Sequence, residues 1–136
     1  MKSHAIRLTY GMDLKEEIEK FAKGHNIQAG CILSAVGCLN KLVLRTAGAK
    51  SIETIEDDFE IVSATGTISK DGCHIHISVS DDKLKTYGGH LKKGCVVNTT
   101  VELILLELDN FIFSREMDEK TGYKELVVKE EKTCQN

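Results

Sequence analysis

Three of the five histidines lie within one short stretch, and their spacing is the strongest chemical signal in the sequence. Across residues 73–80 apolar and polar residues alternate as in a half-buried strand, so His74 and His76 are predicted to project from the same face. His90 follows after a gap of thirteen residues, directly after a pair of glycines. That gap is long enough for a connection that returns a loop over the same face. The pattern predicts a site where three imidazoles converge.

Three neutral imidazoles suit Zn²⁺ or a related divalent ion, and they leave a fourth coordination position for water or a substrate. A purely structural zinc site would usually be closed by a fourth protein ligand. Taken singly, each histidine could instead be a hydrogen-bonded surface residue or a buried residue with satisfied partners. Taken together, His74, His76 and His90 favour a metal site, with zinc as the expected ion.

Two carboxylates are candidates for chemistry at such a site. Glu60 and Glu102 each lie within an otherwise apolar segment, where an unpaired carboxylate is costly. Either could orient a ligand histidine, pair with Arg7 across a sheet, or act as an acid or base on a metal-bound substrate. A structural ion pair or an outward-facing carboxylate is the alternative for each. Arg7 could also clamp the carboxylate of a small substrate, so Glu60, Glu102 and Arg7 are the candidate catalytic residues.

One helix is clearly predicted among many strands. Asp13 is a suitable N-cap, Glu16 at the third helical position would complete a capping box, and Gly24 provides a stop. The run 29–37 is almost uniformly small or apolar, which predicts a strand covered on both faces and paired with 39–46 around Gly37. Further strands are expected at 4–9, 52–55 (a short edge strand), 59–68, 73–80 (reached through a tight turn at 69–72), 96–108, 111–114 and 123–128. One helix and about eight strands predict an α+β domain with a largely antiparallel sheet.

The composition is that of an ordinary globular domain. The 136 residues are 41% hydrophobic and 29% charged, with a formal net charge of −3, so there is no electrostatic reason to expect tight nucleic-acid binding. A group of lysines around His90 could bind a carboxylate or touch phosphates, and a merely solvated surface is the alternative. Its members are Lys83, Lys85, Lys92 and Lys93.

Cysteine usage and the N-terminus predict where the protein resides. The five cysteines are irregularly spaced and form no C-x-x-C pair, which is typical of reduced thiols in the cytoplasm. The N-terminus lacks the apolar region of a signal peptide, and no segment approaches the roughly 20 apolar residues of a membrane span. The sequence has no proline to protect sheet edges, so we expect subunits to associate through the sheet.

Four segments carry a family resemblance: FEIVSATGT at 59–67, DGCHIHIS at 71–78, GGHL at 88–91 followed by Gly94, and TTVE at 99–102. With Arg7, GMDL at 11–14 and the Val36-Gly37 pair, they closely resemble the PPC domain (plants and prokaryotes conserved, also called DUF296). The resemblance implies an α+β domain of the stand-alone prokaryotic type that assembles as a homotrimer. We expect the domain to span residues 1–130, and the polar residues 131–136 to form a frayed tail. It also implies that His74, His76 and His90 are the metal-ligand positions.

The resemblance leaves two functions open. The arrangement of histidines is also similar, more distantly, to that of acetolactate decarboxylases, which hold zinc with a His-x-His pair and a later histidine. By that comparison the chain is a metal-binding protein, or an enzyme, that takes a small carboxylated metabolite. In plants the domain is attached to AT-hook motifs that bind DNA, and this chain has no AT-hook. The alternative is therefore an interaction module linked to DNA or transcription, with weak or indirect DNA binding.

Overall fold

The computed structural model describes residues 1–131. The predicted tail, apart from Glu131, and Cys134 lie outside the described residues. The elements in chain order are β1 (Lys2–Thr9), α1 (Leu14–Gly24), β2 (Ala29–Arg45), a short 3₁₀ turn (Ala47–Ala49), β3 (Ile52–Ser69), β4 (Gly72–Ser80), β5 (Thr86–Leu91), β6 (Val96–Glu107), β7 (Phe111–Asp118) and β8 (Tyr123–Glu130).

The main sheet has six strands in the order β1-β6-β2-β3-β4-β5, and every neighbouring pair is antiparallel. Strand β5 also pairs with the end of β2, which closes β2, β3, β4 and β5 into a ring. Strands β7 and β8 form a separate hairpin. The prediction of a largely antiparallel α+β domain with one main helix is confirmed.

Helix α1 covers the sheet through one apolar face. Its N-cap is Asp13, whose carboxylate accepts the backbone N–H of Glu16 at 2.9 Å. Leu14, Ile18 and Ala22 are buried beneath it, where removing their side chains from water stabilises the packing of helix on sheet. The Glu16 carboxylate forms an exposed ion pair with Lys93 Nζ at 3.4 Å, and among the described residues it accepts no hydrogen bond from the Asp13 backbone, so the predicted capping box is only half formed. Within the described residues, no helix combines the length and apolarity needed to cross a membrane.

The prediction of two strands paired around Gly37 is wrong. Strand β2 continues through Gly37 and lies between β3 and β6. Gly37 has a φ of 142° and sits at a shift in the β2–β6 register, where a Cβ would collide with the carbonyl oxygen of Thr100. The glycine therefore marks a bulge and a close strand approach, which have the same sequence signature as a turn.

Strand β3 is also longer than predicted. The segment 52–55 is not a separate edge strand, because β3 runs from Ile52 to Ser69 and pairs with β2 near both ends. At its far end the predicted hairpin is confirmed: Ser69 pairs with Gly72, which leaves a two-residue turn into β4. This turn sets the register that carries the histidines.

Strand β2 is not covered on both faces within one chain, contrary to prediction. Leu33 and Val36 are 61% and 52% exposed, whereas Ile32 and Leu39 on the same strand are buried. Uniformly apolar sequence is typical of double coverage, but the described chain supplies a covering layer on only one face over this part of the strand.

Candidate metal centre

The structure brings the three predicted histidines together on two adjacent strands. His74 and His76 are two residues apart on β4, and His76 lies directly opposite His90 on β5. One ring nitrogen from each lies within 4.8 Å of the others. The ring centroid of His74 lies 4.9 Å from the centroid of His76 and 4.9 Å from that of His90. The centroids of His76 and His90 are 5.6 Å apart.

His90 reaches this position on a strand, so the expectation of a returning loop is wrong. The glycine pair before it belongs to β5. A Cβ on Gly89 would lie 2.9 Å from the carbonyl oxygen of Arg45, so this glycine allows β5 to approach β2 closely. Close approach, and not a turn, is the reason for glycine here.

The donor set fits a tetrahedral transition metal. The Nε2 atoms of His74 and His76 are 3.2 Å apart. Two nitrogens bound to one zinc ion at about 2.0–2.1 Å in tetrahedral geometry are separated by about 3.3 Å. His74 and His90 are half-buried and His76 is exposed, so one side of the cluster faces solvent. The three residues could hold zinc and leave room for a ligand that the protein does not supply.

Local electrostatics keep the two half-buried imidazoles neutral. Burial, followed by the positive charge of Arg115, lowers the pKa of His74 below its ordinary value of 6.5. Burial, followed by the charge of Arg45, lowers the pKa of His90 to about 4. Metal ions bind the neutral form of imidazole, so both residues are in the ligating state at neutral pH.

Two arginines that sequence reasoning missed flank the cluster. Arg45 on β2 pairs with His90, and its Nη2 lies 3.5 Å from His90 Nδ1. Arg115 on β7 donates from Nη2 to Thr67 Oγ1 at 2.8 Å, and Thr67 is directly opposite His74. Each arginine therefore sits beside one of the half-buried histidines.

A groove of about 430 Å³ opens beside His74 and His90. Helix α1 supplies Lys15 and Glu19 to its wall, and the β7–β8 hairpin supplies further side chains. The hairpin residues are Arg115, Tyr123, Lys124 and Glu125. The histidine cluster thus faces a concave site large enough for a small molecule.

A sequence profile of the Plants and Prokaryotes Conserved (PCC) domain, the same family as PPC, matches residues 1–109. The chain belongs to this family. Among curated relatives, a bifunctional protein GlmU from Synechococcus sp. (strain JA-2-3B'a(2-13)) is 40% identical over 126 residues, an alignment that covers 93% of this chain and 20% of that protein. The PPC chain therefore spans about a fifth of the length of this relative.

Solved structures share the PPC fold. A hypothetical protein from Salmonella cholerae-suis superposes with a TM-score of 0.91 at 33% identity, covering 95% of this chain and 94% of that one. A metal-containing protein from Archaeoglobus fulgidus superposes with a TM-score of 0.79 at 31% identity, and the match covers 93% of this chain and 94% of that one. A protein from Bacteroides thetaiotaomicron, described as a candidate DNA-binding protein, superposes with a TM-score of 0.83 at 22% identity. This match covers 92% of this chain and 91% of that one, and at such low identity it shows the fold alone.

Glu60 lies at the far end of the PPC sheet from the histidines. It is exposed and pairs with Ser80, which is four residues from His76, the nearer histidine on β4, a separation of about 13 Å along the strand. The Cys38 thiol donates to its carboxylate at 3.5 Å. Burial raises the pKa of the Cys38 thiol most, and the hydrogen bond to Glu60 raises it further. Within one chain, Glu60 does not approach the cluster.

Glu102 and Arg7 are also separate from the histidines. They are directly opposite each other on β6 and β1, and both are exposed. Among residues 1–131 neither makes an ion pair within 4.0 Å. One chain therefore assembles the three histidines and the two flanking arginines, but none of the three predicted catalytic residues.

Proposed function

We propose that this PPC-domain chain holds one divalent transition-metal ion through His74, His76 and His90, and that it presents the ion to a small molecule. The observation that carries the proposal is the convergence of three ring nitrogens within 4.8 Å beside an open groove. The low pKa values of His74 and His90 support it, because protons compete little for those two ligands. The Archaeoglobus relative, described as metal-containing, supports it independently.

Zinc is the proposed ion. Neutral imidazole suits zinc, and three protein ligands with a vacant fourth position are typical of sites that act on a substrate. Such an ion polarises a carbonyl or lowers the pKa of a bound water. The residues around it would hold, orient and shield the molecule that binds there.

Metal analysis of protein purified without a histidine tag tests this proposal. We expect close to one equivalent of zinc per chain, and replacing His76 with Ala should lower zinc affinity by more than the 10–100-fold typical of outer-shell changes. His76 is exposed, so its truncation leaves no buried cavity. His25→Ala, which removes another exposed histidine outside the cluster, is the matched control. Negligible native metal together with unchanged affinity in His76→Ala would contradict the proposal.

We further propose that the chain assembles as a homotrimer. The uncovered apolar face of the sheet supports this assembly. Leu33 and Val36 on β2 are largely exposed, and Val62 on β3 is 58% exposed. Large apolar side chains on neighbouring strands are typical of a surface that a partner covers. Further copies of this chain are the proposed partners.

Glu60, Glu102 and Arg7 enter this proposal only across a subunit boundary. Glu102 lies directly opposite Val36 on one side and Arg7 on the other. An assembly that covers Val36 would therefore also enclose Glu102, where it could act on a neighbouring subunit's site. A catalytic role for these residues stays a prediction.

An interaction module linked to DNA is the second candidate function. The description of the Bacteroides relative and the exposed lysines Lys83 and Lys85 favour it. Against it, Lys93 lies 3.4 Å from Glu16 and 3.9 Å from Glu19, so its charge is already compensated. The net charge of −3 also opposes contact with phosphates.

A further inference from the structure

The groove beside the histidines carries positive charge that its own acids do not neutralise. It contains four basic side chains, including both arginines, and three acidic ones. Glu19 lies 3.8 Å from Lys15 and 3.9 Å from Lys93. Asp71 accepts the backbone N–H of Arg115 at 2.9 Å. Four basic against three acidic side chains leave a formal balance of one positive charge, and no carboxylate in the described chain lies within 4.0 Å of an arginine side-chain nitrogen.

The side chains of both arginines are held in place by uncharged groups. The Arg115 guanidinium donates to Thr67 Oγ1 on β3, while the Arg115 backbone N–H donates to the Asp71 carboxylate in the turn that follows β3. Arg45 lies between His90 and Tyr123, whose ring centroid is 6.0 Å from the Arg45 guanidinium carbon. A guanidinium has five N–H donors, so most donors of each group stay available. Positioned guanidinium groups without a carboxylate partner are suited to bind an oxyanion in a bidentate manner.

The wall of the groove comes partly from outside the family's matched region. The profile covers residues 1–109, whereas the β7–β8 hairpin spans Phe111 to Glu130. This hairpin contributes Arg115 and Tyr123 to the groove. One wall of the groove is therefore built by a hairpin that follows the matched region.

We infer that Arg45 and Arg115 bind a small oxyanion, a molecule bearing carboxylate or phosphate groups, in the groove beside the three histidines. The inference rests on the proposed function for the metal, and it adds the chemical class of the ligand and the residues that recognise it. The groove of about 430 Å³ accommodates a molecule the size of a short dicarboxylate. The hairpin residue Arg115 serves as a specificity determinant.

Calorimetric titration of zinc-loaded protein tests this inference, with succinate, inorganic phosphate and neutral succinamide as probes. We expect succinate or phosphate to bind, succinamide not to bind, and Arg45→Gln and Arg115→Gln each to weaken the anion at least about tenfold. The two anions distinguish a carboxylate from a phosphate ligand. Arg115→Lys keeps the charge but loses the planar fork, so it should weaken binding less than Arg115→Gln.

The control is Lys20→Gln, which removes one positive charge from the exposed face of α1, where Lys20 pairs with Glu17 and not with the groove. Equal weakening in Lys20→Gln, equal binding of succinamide, or arginine variants that bind as wild type would each overturn the inference. Circular dichroism and zinc content are measured for every protein. Wild-type protein that takes up no zinc contradicts the proposed function, whereas zinc-loaded protein that binds neither anion contradicts this inference alone.

Discussion

Replacing Gly66 with Ala should disturb the metal site from beneath. Gly66 lies on β3 directly opposite Ile75, between the residues that face His74 and His76. A Cβ at this position would collide with the carbonyl oxygen of His74 and come within 2.7 Å of Ile75 Cα. Both are backbone atoms, so they cannot move aside as a flexible side chain can. The strands must separate, and β4 carries two of the histidines.

The expected cost combines overpacking with a weakened strand ladder. Overpacking typically costs about 1–3 kcal/mol, and one lost hydrogen bond adds about 1 kcal/mol. We therefore expect Gly66→Ala to lower the free energy of unfolding of the metal-free protein by about 2–4 kcal/mol. With an m-value of about 2 kcal/mol/M, the midpoint of urea unfolding falls by about 1–2 M. Zinc affinity should fall as well, under conditions where circular dichroism shows an intact fold.

Two glycines provide matched controls. A Cβ on Gly24, at the end of α1, meets no heavy atom within 4 Å, so Gly24→Ala should change stability by less than about 0.5 kcal/mol. Gly88, on β5 beside the same histidine strand, has its nearest atom at 3.2 Å, and its replacement should have an intermediate effect. A Gly66→Ala protein as stable as wild type would refute the strand spacing described here.

Further predictions concern protonation, assembly and DNA. In metal-free protein, an NMR titration should give His90 a pKa below 6.5, and Arg45→Gln should raise it; a value at or above 6.5 would be inconsistent with the described burial. Because the folded value is the lower one, this contribution to stability is complete above pH 6.5 and declines as the pH falls toward about 4. Light scattering should give a trimer mass for wild type and a smaller particle for Leu33→Glu; a monomeric wild type would exclude the proposed assembly. Gel shifts at physiological salt should show at most weak, sequence-independent DNA binding that weakens steeply between about 50 and 200 mM salt; tight, selective binding lost on changing Lys83, Lys85, Lys92 and Lys93 to Gln would favour the DNA function instead.

Local patterns predicted the elements that carry the site. Alternation in β4 is a property of consecutive residues, so the common face of His74 and His76 could be inferred directly. The cap at Asp13 is likewise local, since its side chain bonds a backbone group three residues away. Such features depend on few distant contacts.

Features that depend on strand pairing could not be predicted from the sequence. Gly37 and Gly89 face backbone atoms of strands distant in sequence, and nothing near them distinguishes that role from a turn. Arg45 becomes a neighbour of His90 only through the β2–β5 pairing. Arg115 reaches the groove on a hairpin about 40 residues beyond His74, where no nearby residue signals a binding site. The exposed positions of Glu60 and Glu102 show that an acid within apolar sequence can lie on the outer face of a strand.

The closed ring of β2, β3, β4 and β5 has a consequence for the order of folding. The β2–β5 pairing that closes the ring joins Arg45 to His90, which are far apart in sequence, whereas the β3–β4 hairpin is local. Non-local pairings form late because the chain must first lose the entropy of a long loop. The β4–β5 pairing that sets His90 opposite His76 is local as well, so β3, β4 and β5 alone bring the three imidazoles together, and ring closure adds Arg45. A folding intermediate with an open ring should therefore already hold the metal ion, whereas recognition of an anion by Arg45 should report completed folding of the chain.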